Sequence, residues 1–173
     1  MRRLETGRLV IRRLTPADAP FILELVNDPD WLRFIGDRGI RTLDDARAYI
    51  EKGPMEMYAR HGIGLCLVEL KETGVPVGIC GLLHRDYLDD PDIGFAFLPA
   101  HRGKGYAYES ASAVLEYGLR ELELARVVAV TSLDNERSGQ LLEKLGLRFV
   151  RVLRFPNESK DVRLFATATP AAG

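Results

Sequence analysis

Two cysteines, three histidines and one tryptophan among 173 residues leave little material for several common chemistries. His61, His84 and His101 show no metal-ligand spacing, and there is no C-x-x-C or H-E-x-x-H, so no metal is expected. Cys66 and Cys80 both lie inside apolar runs, where a free cysteine behaves as a small core hydrophobe, so buried reduced thiols are expected. Cys80 and His84 stand four positions apart, roughly 13 Å along a strand, which excludes a thiolate–imidazole pair. No G-x-S-x-G elbow occurs. Neither charge is in surplus: 24 basic residues face 25 acidic ones, which argues against nucleic acid as a partner and against an acidic solvating tail. Long apolar runs are also missing. No uncharged stretch nears the roughly 18 residues of a membrane span, and Glu5, Arg8, Arg12 and Arg13 interrupt any signal-like apolar region. A soluble cytoplasmic protein with no membrane partner is the expectation.

What is present suits an ordinary globular chain, 46% hydrophobic and 28% charged. The length predicts one domain over residues 1–168, with 169–173 as a disordered tail. Arg8–Leu14 reads as a strand, followed by a helix with Thr15 as N-cap and Pro16 at its first position. That helix carries Phe21, Ile22, Leu25 and Val26 and stops before Asp28–Pro29. A loop with Trp31, Phe34 and Ile35 leads to a second helix from Thr42 toward Tyr58. Ile63–Leu70 is apolar on both faces, as in a strand covered on both sides, and pairs in a hairpin with Pro76–Leu83 across Lys71–Gly74. His84–Asp92 is polar and reads as a loop before a central strand, Ile93–Phe97. Further on come a helix through Ala107, Ala111, Val114 and Leu115, a strand at Arg126–Ser132, and a short helix opened by Asp134–Asn135 and stopped by Gly146. Arg148–Phe155 and Asp161–Thr167 are the last strands. The order β-α-α-β-β-β-α-β-α-β-β describes a single mixed α/β domain.

The stretch Asp92 to Leu119 carries the chemistry. A strand runs into Arg102-Gly103-Lys104-Gly105-Tyr106-Ala107 and then a helix. The first N–H groups of a helix lack internal partners and sit at the positive end of its dipole. Glycines let an anion approach that backbone closely, so the segment suits a phosphate or pyrophosphate. A P-loop needs Ser or Thr after the lysine, and Gly105 follows Lys104. A dinucleotide fingerprint needs a small residue where Tyr108 stands, and an acid at the end of the next strand, which ends in Thr131–Ser132.

The remaining pattern, Arg-x-x-Gly-x-Ala, is filled by Arg102, Gly105 and Ala107. Here the chain resembles the GNAT superfamily of acetyl-CoA-dependent N-acetyltransferases, over nearly its whole length. It is most similar to the Rim-type branch, the ribosomal-protein N-acetyltransferase-like group. Glu5-Thr6-Gly7-Arg8-Leu9-Val10-Ile11-Arg12 resembles that branch's opening strand, and Asp92-Ile93-Gly94-Phe95 its central strand. Asn135-x-x-Ser138 with Glu143-Lys144-Leu145-Gly146 resembles its downstream motif. The resemblance implies an α/β fold of the α+β type: a twisted mixed sheet of about six to seven strands flanked by about four helices. Its central parallel pair, Ile93–Phe97 and Val127–Thr131, would splay around the cofactor. Backbone amides near Phe97 and Leu98 would take the pantetheine arm, and those of Gly103 to Ala107 (including Lys104, Gly105 and Tyr106) the pyrophosphate. Arg102 and Lys104 would add charge, and Asn135 and Ser138 would contact the cofactor.

Direct transfer to a primary amine needs that amine deprotonated. At pH 7 this costs on the order of 1.4 kcal/mol for an α-amine and roughly 4.6 for a lysine. Asp92 is the candidate base: it opens the central strand and shares a face with the small residues Gly94 and Ala96. His84 and Asp86 are weaker candidates. Many family members have a tyrosine as acid where this chain has Leu142, so Ser138 is the residue left to relay a proton. Trp31, Phe34, His84 and Tyr87 are expected acceptor contacts, with Arg38, Tyr49 and Arg154 nearby. A protein N-terminus or a small-molecule amine would fit as acceptor, and homodimer formation stays open. The alternative is a catalytically silent acyl-CoA-binding or regulatory module that kept the groove.

Overall fold

Apolar residues occupy both faces of Leu65–Leu70 (β3) and Pro76–Leu83 (β4), so this hairpin has to be covered twice. Cys66, Val68, Val77, Cys80 and Leu82 turn into one core, while Leu67 and Ile79 turn into a second. The helix Tyr106–Glu116 (here α5) closes the first core with Ala111, Val114 and Leu115. Ala19–Val26 (α1), Pro29–Phe34 (α2) and Leu43–Ile50 (α3) close the other with Ile22, Leu25, Trp31, Ala46 and Ile50. The computed structural model describes residues 1–169, and positions 170–173 of the expected tail lie outside the described residues.

The sheet has eight strands among the described residues. Besides β3 and β4 these are Leu4–Glu5 (β1), Leu9–Arg13 (β2), Asp92–Phe97 (β5), Val128–Ser132 (β6), Arg148–Leu153 (β7) and Val162–Ala166 (β8). Their order is β1-β2-β3-β4-β5-β6-β8-β7. Pairing is antiparallel except between β5 and β6, which run parallel. This is the expected α/β domain with a mixed sheet. The count exceeds the expected six to seven because β1, two residues long, pairs with β2. Such a strand is too short to show a period of two in sequence.

The helices also exceed four, with Glu56–His61 (α4) and Glu136–Lys144 (α6) completing the set. Pro29 to Phe34 is helix, where a loop was expected. Asp28 caps it by accepting from the Asp30 N–H, and Pro29 sits at the first turn, where its missing N–H costs nothing. Between α3 and α4, Gly53 and Pro54 do not break the run, because a π-helical turn at Glu51–Met55 accommodates the proline. The Thr15–Pro16 start is as expected, although its first turn is 3₁₀, with the Asp18 carboxylate accepting from the Thr15 N–H at 2.9 Å. No described helix is long and apolar enough to cross a membrane.

Cys66 and Cys80 face each other across β3 and β4 as free, fully buried thiols. Burial pushes them up to about 11 and about 12, so both are protonated and inert at neutral pH.

Candidate active site

The two parallel strands touch at one end and part. Asp92 and Val128 are the register partners that join β5 to β6, with the Val128 N–H donating to the Pro91 carbonyl at 3.0 Å. Beyond that point the remaining residues of β5 have no partner on β6 among the described residues. On its other side β5 is fully paired with β4, from Leu83↔Asp92 to Gly78↔Phe97. The Leu98 N–H extends that ladder by donating to the Val77 carbonyl at 3.1 Å. Antiparallel pairing alternates, so Ala96, Gly94 and Asp92 bond to β4 as well. Phe95 and Phe97 therefore turn their backbone groups into the wedge beside β6. Leu98 does not, which corrects the expectation that its amide takes part, and Phe95 is the wedge residue that sequence reasoning missed.

At the open end of the wedge the glycine loop enters α5. Gly103 and Gly105 have φ of +75° and +82°, conformations that L side chains rarely adopt. Among the described residues no protein group accepts from the N–H groups of Gly103 to Tyr108. They form a run of free donors at the positive end of an eleven-residue helix. Lys104 is exposed beside them. The donor set suits a pyrophosphate, whose oxygens accept from several N–H groups at once.

Arg102 plays a different part from the one expected. Its Nε and Nη2 donate to the Phe97 carbonyl at 3.1 and 2.8 Å, and Nη2 also reaches Asp28 Oδ2 at 3.0 Å. Nη1 donates to Asp30. The guanidinium thus faces back toward the start of α2 instead of adding charge to the anion site. It ties the end of β5 to α2 and holds the turn before the loop.

Asp92 lies at the closed end of the wedge, 1% exposed. It is not the solvated acid that a strand entrance often carries. Burial raises its carboxyl above the ordinary range, and Arg85 opposes this from Nε at 3.1 Å to Oδ1. Arg85 was invisible in the sequence because it sits in a polar loop seven positions away. Its Nη1 also reaches the Tyr87 hydroxyl at 3.4 Å, and its guanidinium lies 5.6 Å from the Phe155 ring. Tyr49 is part of the same surroundings: burial raises its phenol, while the charges of Arg38 and Arg85 work the other way.

Asn135 caps α6, its Oδ1 accepting from the Ser138 N–H at 3.2 Å. Its side-chain oxygen is therefore committed to the helix. The Ser138 hydroxyl makes no hydrogen bond among the described residues and is half-buried. Leu142 is 1% exposed and packs in the same core as Ala111, Val114 and Leu115 of α5.

Two of the four expected acceptor contacts come together. His84 and Tyr87 line a groove of about 360 Å³ with His61, Met57 and Arg85, and Arg85 links that groove to Asp92. His84 stacks on His61 at 4.1 Å, and Tyr87 packs against Phe155 at 4.6 Å. Trp31 and Phe34 are elsewhere, on α2. Trp31 is 5% exposed within the second core, which corrects its assignment as an acceptor contact. Phe34 is half-buried under the Arg33 guanidinium at 4.6 Å.

Known proteins share this fold. The family model described as "Acetyltransferase (GNAT) domain" matches residues 8–148. An uncharacterized N-acetyltransferase of Bacillus subtilis, YoaA, is 31% identical over 153 residues, covering 87% of this chain and 85% of that protein. The crystal structure of an acetyltransferase from Agrobacterium tumefaciens superposes with a TM-score of 0.82 at 24% identity, covering 98% of this chain and 95% of the other. A ribosomal L7/L12 α-N-protein acetyltransferase, RimL, in complex with coenzyme A, superposes at 0.81 with 16% identity, covering 95% and 96%.

Proposed function

The chain belongs to the GNAT acetyltransferase family, and on that premise we propose that it is a Rim-type N-acetyltransferase that moves an acetyl group from acetyl-CoA to a primary amine. One observation carries the reading. A wedge between β5 and β6 runs from a buried carboxylate, Asp92, to the free amides of Gly103–Ala107. Each part has a task that its chemistry suits. Acetyl-CoA would supply an activated thioester. The amides of Gly103, Lys104, Gly105, Tyr106 and Ala107 would hold its pyrophosphate, each charge-assisted hydrogen bond contributing about 1.5–3 kcal/mol. The backbone of Phe95 and the N–H of Phe97, whose carbonyl is held by Arg102, would take the pantetheine arm as a strand takes a neighbour.

Asp92 would accept the proton of the attacking amine, and its raised pKa brings it nearer the working range of a general base. The free Ser138 hydroxyl would donate to the departing sulfur or relay a proton to it. The acceptor would approach through the groove of His84 and Tyr87, as an N-terminal α-amine or a small-molecule amine. RimL and a chimera of the Vibrio cholerae spermidine N-acetyltransferase SpeG, a structural neighbour at a TM-score of 0.75, illustrate a protein and a polyamine acceptor by their names.

A second reading, a silent acyl-CoA-binding module, is favoured by Leu142, which puts a buried aliphatic side chain where many relatives have a phenol. Calorimetric titration with acetyl-CoA, then a thiol-release assay across peptide N-termini and small amines, separates the two. Binding with turnover supports the enzyme, binding without turnover on any amine supports the module, and no binding removes both.

A further inference from the structure

The opening segment Glu5–Arg12 contributes an arginine to the glycine loop. Arg8 stands at the entrance of β2, 96 positions from Lys104, yet its Nη1 donates to the Lys104 carbonyl at 2.9 Å. Its Nε donates to Glu109 Oε1 at 3.1 Å, and its guanidinium lies 4.7 Å from the centre of the Tyr106 ring. Thr6 completes the arrangement, its Oγ1 donating to Glu109 Oε2 at 3.0 Å. The β1–β2 turn thus grips both the loop and the first turn of α5.

The carbonyl of Lys104 and the N–H of Gly105 belong to one planar trans peptide, in which they point in opposite directions. An arginine that holds the carbonyl from one side therefore aims the Gly105 N–H at the other. On its C-terminal side that peptide is followed by Gly105, which has a φ of +82° and no Cβ, so a rotation about this residue meets little local steric resistance. The positive charge of Arg8 is matched by Glu109, which makes orientation, rather than added attraction for an anion, its main effect.

We propose that Arg8, held by Glu109 and Thr6, is a positioning residue that fixes the Lys104–Gly105 peptide with its N–H toward the cofactor pyrophosphate. This rests on the reading of the loop as a coenzyme A site. The role needs no contact between Arg8 and the cofactor.

The test is calorimetric titration of the wild type, Arg8→Ala, Arg8→Lys and Glu109→Gln with coenzyme A and with 3′-dephospho-coenzyme A, followed by steady-state kinetics. Arg8→Ala is expected to weaken both ligands by the same factor, about tenfold, the scale of one charge-assisted hydrogen bond. KM for acetyl-CoA should rise in parallel, with kcat at saturation and the acceptor KM within about twofold of wild type. Arg8→Lys should recover part of the affinity, since one donor still reaches the Lys104 carbonyl. Glu109→Gln should weaken both ligands by a smaller factor, about threefold, and decides the matter if Arg8→Ala does not fold. Equal affinity of wild type and variants would overturn the proposal. So would a loss seen for coenzyme A and not its dephospho form, because Arg8 would then be contacting the 3′-phosphate itself. A wild type that binds neither ligand would instead overturn the coenzyme A reading of the loop.

Discussion

Arg85 Nε meets Asp92 Oδ1 at 3.1 Å, where the strands that form the wedge are still joined. The carboxylate is buried and the arginine is partly exposed, at 2% and 29% of their side-chain surfaces. Burial and the guanidinium therefore pull the proton affinity of Asp92 in opposite directions, with burial stronger. This balance makes the pair a handle on the proposed chemistry.

Removing Arg85 while keeping bulk, as in Arg85→Met, takes away the force that favours the carboxylate. Asp92 then stays protonated to higher pH, and the acidic limb of kcat/KM against pH is expected to move upward. A limb that stays in place would separate Asp92 from the rate-determining proton transfer. Asp92→Asn should lower kcat/KM by roughly a hundredfold or more while leaving acetyl-CoA affinity unchanged.

The same balance has a consequence for stability. Asp92 has a folded pKa above its unfolded value, so its stabilising contribution is full below the unfolded pKa and is lost as pH rises through the folded one. Arg85→Met extends that loss. Its destabilisation relative to wild type should be larger at about pH 8 than at about pH 5, as read by urea denaturation. A pH-independent difference would mean that Arg85 acts through packing.

Arg102 bridges three acceptors: the Phe97 carbonyl, Asp28 and Asp30. Asp28 is 8% exposed, so Arg102→Ala leaves a buried carboxylate without its counter-ion. A loss of about 2–3 kcal/mol in unfolding free energy is expected, below the full range for buried pairs because Arg102 reaches solvent. Arg102→Lys should recover less than half of it, since an ammonium does not span the three sites as a guanidinium does. Full recovery by lysine would show that charge alone matters here.

Gly103→Ala and Gly105→Ala separate backbone strain from access to the loop. Both residues have positive φ, so each substitution should cost about 1 kcal/mol in stability. A methyl at Gly105 also comes within 3.2 Å of Arg8 Nη2, whereas one at Gly103 meets no protein atom. Gly103→Ala therefore reports on the ligand side. A drop in acetyl-CoA affinity beyond its stability cost is expected in calorimetry, and unchanged affinity would move the pyrophosphate away from Gly103.

Asn135 and Ser138 are neighbours with separable tasks. Asn135→Ala removes the cap of α6 and should lower stability by about 1 kcal/mol. Ser138→Ala removes a hydroxyl without a protein hydrogen bond among the described residues, so thermal stability should hold while kcat falls. If kcat holds as well, Ser138 has no part in the proton path.

By itself the sequence determined whatever depends on neighbours along the chain. The doubly covered hairpin, the glycine loop before α5, the helix start at Asp134–Asn135 and the Gly146 stop all follow from local spacing and backbone preference. The order of four motifs was enough to indicate the family. Tertiary structure decided the partners of each polar group, because hydrogen bonds and burial depend on contacts between residues far apart in sequence. Arg102 has the same charge whether it faces a phosphate or Asp28, and only the docking of α2 chooses. Leu98 and Phe97 are adjacent, yet the register of β4 takes the amide of one and leaves the other facing the wedge. Asp92 became a buried, Arg85-paired carboxylate where β5 meets β6, and Arg8 reached Lys104 when the sheet brought the start of the chain beside α5.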